Sequence, residues 1–184
     1  MNFRALRDIG IAVCFLLLLL LIALKVNADA GQALTGGLRA VDGDSLARGD
    51  ERLRLMGIDA PELDQTCRRG PEIWRCGEAA KRALAELMAP PGAVCKGSRR
   101  DKYRRLLVTC QQGGRDLNRI MVETGYAVAF GAYEQEEASA RARHMGLWSG
   151  EFQRPGDWRR AHKATMADEA PHLTSFIGRL LGLD

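Results

Sequence analysis

The feature that most constrains this chain is an unbroken apolar run, Ile9 to Leu24, sixteen residues long and preceded by Arg4 and Arg7. Six consecutive leucines, Leu16 to Leu21, leave that segment no polar face, so it is a poor candidate for a core helix of a globular body. Its length falls between a signal-peptide apolar region of about 7–15 residues and a spanning helix of about 20. Lys25 closes the run, and Ala28-Asp29-Ala30 follows with the small-x-small pattern of a signal-peptidase site. A cleaved leader (residues 1–30) and a retained membrane anchor both leave the basic residues inside and carry the remainder across the membrane. The working part is therefore expected to be exported: periplasmic or secreted, or tethered by the N-terminal helix with its domain outside. Contact with the membrane is expected only through this N-terminal segment.

The cysteines agree with export. Cys14 belongs to the leader, and removing it turns five cysteines into an even four: Cys67, Cys76, Cys95 and Cys110. Of the three possible pairings, spacing favours Cys67–Cys76 as a local loop and Cys95–Cys110 across a hairpin. A turn centred between residues 102 and 103 sets position 95 directly opposite 110, close enough for a bridge. No C-x-x-C or His/Cys cluster supports a structural zinc site. Residues 1–30 carry Arg4, Arg7 and Lys25 against Asp8 and Asp29, so the net charge of +4 falls to +3 without them. That mild excess permits a nucleic-acid partner without requiring one.

With 184 residues, 27% of them charged and 46% hydrophobic, the chain is neither a polytopic membrane protein nor wholly disordered. One domain, 31–162, is expected between the leader and a C-terminal tail, 163–184. Leu34 to Ile58 reads as three short strands, of which Leu38 to Val41 ends the first, Ser45 to Arg48 is the second and Arg52 to Met56 belongs to the third, joined at Asp42-Gly43 and Gly49-Asp50. Pro71 to Met88 reads as a helix, and the Cys95/Cys110 hairpin supplies two more strands. Asp116 reads as the N-cap of a helix reaching Thr124, and Glu134 to His144 as a third helix. The class implied is α+β, a small five-stranded barrel packed with three helices. In the tail, Leu173, Phe176, Ile177, Leu180 and Leu181 recur at helical spacing. An amphipathic helix for a membrane surface or partner and a tail folded back on the body both fit that spacing.

Carboxylates crowd the early strands: Asp42, Asp44, Asp59 and Glu62. Asp42-Gly43-Asp44 is not an EF-hand loop, because its fifth and sixth places hold Leu46 and Ala47 rather than an oxygen ligand and glycine in that order. Gly43-Asp44-Ser45-Leu46 spells an esterase nucleophile block, but the late Asp-x-x-His that would activate its serine is missing. Neither Gly-x-Ser-x-Gly, His-Glu-x-x-His nor a P-loop occurs.

Val41-Asp42-Gly43-Asp44-Ser45, followed by Arg54-Leu55-Met56-Gly57-Ile58-Asp59-Ala60-Pro61-Glu62, resembles the staphylococcal-nuclease-like (thermonuclease) family. Asp101-Lys102-Tyr103-Arg104-Arg105 is similar to that family's second block and Gly146-Leu147-Trp148 to its closing one. The resemblance implies a five-stranded OB-fold barrel with three helices, and calcium (Ca2+) as cofactor. By that likeness Asp44, Asp59 and the carbonyl of Ala60 are metal ligands, Glu62 is the general base, and Arg54 and Arg105 bind the phosphate. Lys102 and Tyr103 are implied to help hold a terminal phosphate. The implied reaction is phosphodiester hydrolysis of DNA and RNA as flexible single strands, leaving 3′-phosphates, by a monomeric enzyme.

The chemistry of these residue types is coherent. Calcium takes 6–8 oxygens, so two carboxylates and a carbonyl leave room for waters and a phosphate oxygen. Guanidinium forks match the phosphate and the extra charge of its transition state. Three departures from the best-known pattern stand out. Ala60 replaces a threonine, Arg104 stands at a glycine position, and Gly131 falls where an aromatic contacts the base, leaving Phe130 or Tyr133 as substitutes. Arg99, Arg100, Lys102, Arg104 and Arg105 form a basic cluster suited either to flanking phosphates or to a solvated sheet edge. The alternative functional readings are a noncatalytic nucleic-acid-binding OB module on the cell envelope and an envelope protein that docks a partner through its tail.

Overall fold

The computed structural model describes residues 3–29 and 31–163. The apolar run forms one helix, α1 (Phe3–Asp29), in which Arg7–Lys25 is long and apolar enough to cross a membrane and its large apolar side chains are exposed. Cys14 is a free thiol on it. The expected tail helix lies, from residue 164 on, outside the described residues, as does Ala30 of the cleavage pattern.

The body begins with β1 (Gln32–Thr35), β2 (Leu38–Ala40), β3 (Ser45–Arg48), β4 (Glu51–Leu55) and β5 (Ile58–Asp59). Farther along the chain are β8 (Val94–Arg100) and β9 (Leu106–Gln112), and the main sheet runs in the order β1-β8-β9-β4-β3-β2. β1 and β2 are separated only by Gly36-Gly37, both at positive φ, yet they stand at opposite edges of this sheet. Joining the two edges through two residues requires the sheet to curl on itself. Counted together as one bent strand, β1 and β2 complete the five strands that the sequence implies. All pairings are antiparallel except β4 with β9, where Arg54 faces Leu107. Leu46, Leu53, Leu55, Leu106 and Val108 point inward with Leu34 to form the core, closed by Leu84, Leu117 and Met121 from the helices.

Two local features differ from the sequence reading. The helix expected from Pro71 starts at Cys76 (α2, Cys76–Met88). The preceding residues form a hairpin of β6 (Cys67–Arg69) and β7 (Glu72–Trp74), turning at Gly70, whose φ is +57°. Pro71 suits the first turn of a helix, but it equally suits this turn, and the Cys67–Cys76 bridge ties the hairpin back to the helix start. In the β8–β9 hairpin Cys95 does face Cys110, bridged with 4.0 Å between Cα atoms. Nearer the tip, however, Arg99 faces Leu107, one step out of that register, so a bulge lies between Lys96 and Arg99. Gly97 occupies the bulge, where an added Cβ would sit 2.1 Å from the Leu107 carbonyl oxygen.

The remaining elements follow the expected punctuation. After β10 (Arg115–Asp116), the Asp116 side chain accepts the Arg119 N–H at 3.1 Å and caps α3 (Leu117–Glu123). β11 (Val128–Ala129) pairs with β5, α4 spans Glu134–Ala142, and a 3-10 turn covers Gly146–Ser149. A further helix, α5, residues 155–163, is absent from the sequence reading. It matters for the site.

Candidate active site

Asp44 ends the turn between β2 and β3. The Asp42 carboxylate accepts the Asp44 N–H at 3.0 Å, and the Val41 N–H is bonded to the Ser45 carbonyl at 2.9 Å. Gly43 allows this turn to press against the body: a Cβ there would meet the Cβ atoms of Ala80 at 2.6 Å and Ala60 at 2.7 Å. Small residues at 43, 60 and 80 are thus one packing requirement, and they drive Asp44 inward until only 2% of it is exposed.

Register delivers the next residue. Arg54 lies directly opposite Ser45 in the β3–β4 pair, beside Asp44. The chain then reverses at Gly57 (φ +81°), where a Cβ would collide with that of Ala132 at 2.8 Å, and β5 brings Asp59 back toward Arg54. The Arg54 guanidinium bridges the two acids, one nitrogen on Asp44 Oδ1 and the other on Asp59 Oδ1 at 2.7 Å. Asp44 Oδ2 accepts the Ala60 N–H at 2.8 Å. Burial pushes the Asp44 carboxyl up to about 8, against the pull of Arg54 and of the Ala60 N–H, with Asp42 adding to the rise.

Glu62 follows Pro61 on a loop held from three sides. Its N–H donates to Gln65 Oε1 at 3.3 Å, and its carbonyl accepts the Gln65 N–H at 2.8 Å. Its backbone abuts the first turn of α2, where a Cβ on Gly77 would fall 1.7 Å from the Glu62 carbonyl oxygen. Gln65, fully buried, also donates from Nε2 to the Gln153 carbonyl at 2.7 Å, which ties the loop to the segment entering α5. From α5, Arg159 closes the cluster. Its Nη1 donates to Asp59 Oδ1 at 3.0 Å and to Glu62 Oε1 at 2.8 Å, and its Nη2 to Asp59 Oδ2 at 2.9 Å. The hydrogen bonds to Asp59 and then to Glu62 outweigh partial burial and raise the Arg159 pKa.

Of the sequence-implied residues, Asp44, Arg54, Asp59, Ala60 and Glu62 converge. Arg105 stands one residue before β9, on the strand next to Arg54, but its guanidinium holds Asp101, with Nε on Oδ2 at 2.8 Å. Burial is the largest single influence on Asp101 and opposes its ionisation. Hydrogen bonds from the Arg105 side chain and from the Arg105 and Tyr103 N–H groups nevertheless keep its carboxyl below the usual range. Lys102 and Arg105 both lie over the Tyr103 ring, at 5.1 and 5.4 Å from its centroid. Arg99 shares a transverse row with Leu107 and Arg54, so the exposed basic hairpin runs up to the carboxylates. Tyr133 is tied down, its hydroxyl donating to Asp116 Oδ2 at 2.9 Å, whereas Phe130 is 70% exposed.

The donor set suits a hard divalent cation. Two carboxylates lie within the span of a single guanidinium, and the next residue, Ala60, brings its carbonyl to the same stretch of chain. Among the described residues, no three His, Cys, Asp or Glu side chains form a cage on their own. A backbone carbonyl, water and substrate oxygens would have to complete the shell.

The family model described as "Staphylococcal nuclease homologue" matches residues 52–150, more than half of the chain. The chain belongs to this family. Among curated relatives, the succinoglycan biosynthesis protein ExoI of Rhizobium meliloti (strain 1021) is 36% identical over 139 residues, covering 70% of this chain and 72% of that protein. An endonuclease of Haemophilus influenzae (strain ATCC 51907 / DSM 11121 / KW20 / Rd), named as uncharacterized, is 30% identical over 138 residues, 68% of this chain and 72% of that protein. The probable staphylococcal-like nuclease CAN2 of Oryza sativa subsp. japonica is 29% identical over 134 residues, 69% of this chain but 34% of that protein. The nuclease homologue therefore carries an α+β, OB-like body of this family behind an apolar helix. Its membership points to endonuclease-type hydrolysis of nucleic acid.

Arg159 and Gln65 are the members of this site that sequence reasoning missed. Gln65 gave no signal, since a polar residue in a loop is ordinarily solvated. Arg159 had one: Pro155 and Asp157 are a start signal for a short helix, but α5 has no apolar period to support it.

Proposed function

We propose that this chain is an exported, calcium-dependent nuclease hydrolysing phosphodiester bonds of flexible, single-stranded DNA and RNA. The observation that carries the reading is the convergence of Asp44, Asp59 and Glu62 on two guanidinium groups. Asp44, Asp59 and the Ala60 carbonyl would hold the ion, which supplies Lewis acidity toward a phosphate oxygen. Glu62 accepts the proton of the attacking water, and its loop fixes the direction from which the carboxylate reaches that water. Arg54 compensates charge on the phosphate, and Arg105 joins it by exchanging Asp101 for a phosphate oxygen. A lost donor of this kind typically raises the barrier by about 3–4 kcal/mol. Lys102 and Tyr103 would take a terminal phosphate, and the exposed Phe130 would stack on a base.

Export is supported by α1, by its adjoining small-x-small pattern and by two disulfides in the body. Whether the leader is cleaved before Gly31 is read directly by N-terminal sequencing of the exported protein.

The decisive experiment measures acid-soluble nucleotides released from heat-denatured DNA, with calcium and with chelator. Release with calcium and none with chelator is expected, and Glu62→Gln should keep the fold and calcium binding while losing most turnover. Near-normal turnover in that variant refutes the general-base role. Binding of DNA that survives chelation, with no cleavage at any calcium concentration, replaces the enzyme by a nucleic-acid-binding OB module.

A further inference from the structure

Arg159 lies on α5, beyond the span 52–150 that the family model matches, and no role above uses it. Its fork takes both oxygens of Asp59 and one oxygen of Glu62, while Arg54 already holds Asp59 Oδ1. The acid assigned to the ion and the acid assigned to the proton are thus joined through one organic cation. An inorganic cation entering at Asp59 competes with that fork for both carboxylate oxygens, one of which Arg54 also holds, and a third positive charge there adds repulsion that release of the fork would relieve. The helix itself is pinned close by. A Cβ on Gly156 would lie 3.9 Å from Asp59 Oδ2, and Gln65 holds the carbonyl of Gln153 just before the helix. The side chain, by contrast, is 39% exposed, so the guanidinium has water to move into without displacing α5.

We propose that Arg159 is a built-in competitor of the divalent cation: it holds Asp59 and Glu62 in the metal-free protein, releases Asp59 when the ion enters, and so sets the calcium concentration at which the site loads. This rests on the calcium reading above. It assigns to α5 a control over loading that the carboxylates alone do not exert.

The test is isothermal titration calorimetry of calcium chloride into the full chain in detergent, for the natural protein, Arg159→Gln, Arg159→Lys and Arg160→Gln. Hydrogen bonds between a partly exposed guanidinium and a buried carboxylate set the competition at about tenfold. Arg159→Gln should therefore bind calcium about tenfold more tightly, and Arg159→Lys, which keeps the charge but loses the fork, should fall between it and the natural protein. Arg160 pairs only with Asp157 on its own helix among the described contacts, so Arg160→Gln should match the natural protein. A thermal melt adds a readout that a purely structural role would not give. Arg159→Gln should melt lower than the natural protein without calcium, yet gain more from saturating calcium. Equal or weaker calcium binding by both Arg159 variants overturns the inference and leaves the calcium site standing. No calcium binding by any of the four proteins overturns the calcium reading and this inference with it.

Discussion

Replacing Gln65 by Leu probes how the fold aims Glu62, the proposed general base. The side chain is fully buried, and Leu has a similar volume without its amide. Two hydrogen bonds disappear, Glu62 N–H to Oε1 at 3.3 Å and Nε2 to the Gln153 carbonyl at 2.7 Å. Glu62 and Gln153 are not themselves buried, so water can reach part of what is left unpaired, and each bond counts near the ordinary net value of about 1 kcal/mol. A loss of about 2 kcal/mol in urea-induced unfolding is the expected cost to stability. The effect on catalysis should be larger than that figure implies, because the same change frees the Glu62 loop and loosens the approach of α5. Misplacing a reacting group by about 1 Å can cost about a hundredfold, so kcat for denatured DNA should fall by tenfold or more. The diagnostic is non-additivity: in a Glu62→Gln background, Gln65→Leu should lower kcat little further. A variant that loses the expected stability but keeps natural kcat would show that Gln65 only packs, and the account of how Glu62 is positioned would be wrong.

Two other perturbations test separate parts of the molecule. Arg104 sits at φ +66° in the hairpin tip, a conformation costing a side-chain-bearing residue about 1–2 kcal/mol, while its N–H and carbonyl bonds to Asp101 and Arg100 survive substitution. Arg104→Gly should therefore stabilise the protein by about 0.5–1 kcal/mol after the entropy of glycine is deducted, seen as a thermal midpoint a few degrees higher; a lower midpoint contradicts it. Asp44, with its carboxyl pushed up to about 8, keeps a proton in the native state that the unfolded chain releases above its ordinary carboxylate value. Its contribution to metal-free stability is complete below that ordinary value and is lost as pH rises through about 8. If Asp44 holds calcium as proposed, calcium affinity runs the other way, rising with pH by up to tenfold per unit and levelling above about 8, with proton uptake by the buffer on binding. Calorimetric affinity that is flat on the acid side of that value removes the buried proton from the argument.

Alternation along Arg52 to Met56, the Asp-Gly and Gly-Asp turns, the Asp116 cap and Gly125 are local signals, and the strands and helices stand where those signals put them. Both bridges were likewise legible, because cysteine spacing and hairpin symmetry are properties of chain distance. Two kinds of feature were not. The Gly70-Pro71 hairpin and the bulge at Gly97 depend on what the backbone meets: a bridge back to Cys76 in one case, the Leu107 carbonyl in the other. The splitting of the first strand at Gly36-Gly37 depends on β8, sixty residues on, for its second partner.

The sequence by itself determined the apolar N-terminal helix, the cysteine pairing, the order of the early strands and the residue types that hydrolysis of a phosphodiester needs. It did so because each is written in periodicity, spacing or side-chain chemistry within a short stretch. Tertiary structure alone decided which charges meet. Arg54 reaches both acids because β3 and β4 pair in one register and Gly57 reverses the chain. Arg159 arrives from a helix about a hundred residues downstream of the carboxylate it holds, whereas Arg105 is kept by Asp101 only four residues back in the hairpin tip. An ion pair forms over a few ångströms of space whatever the separation along the chain, and nothing in the local pattern around residue 159 records its partner.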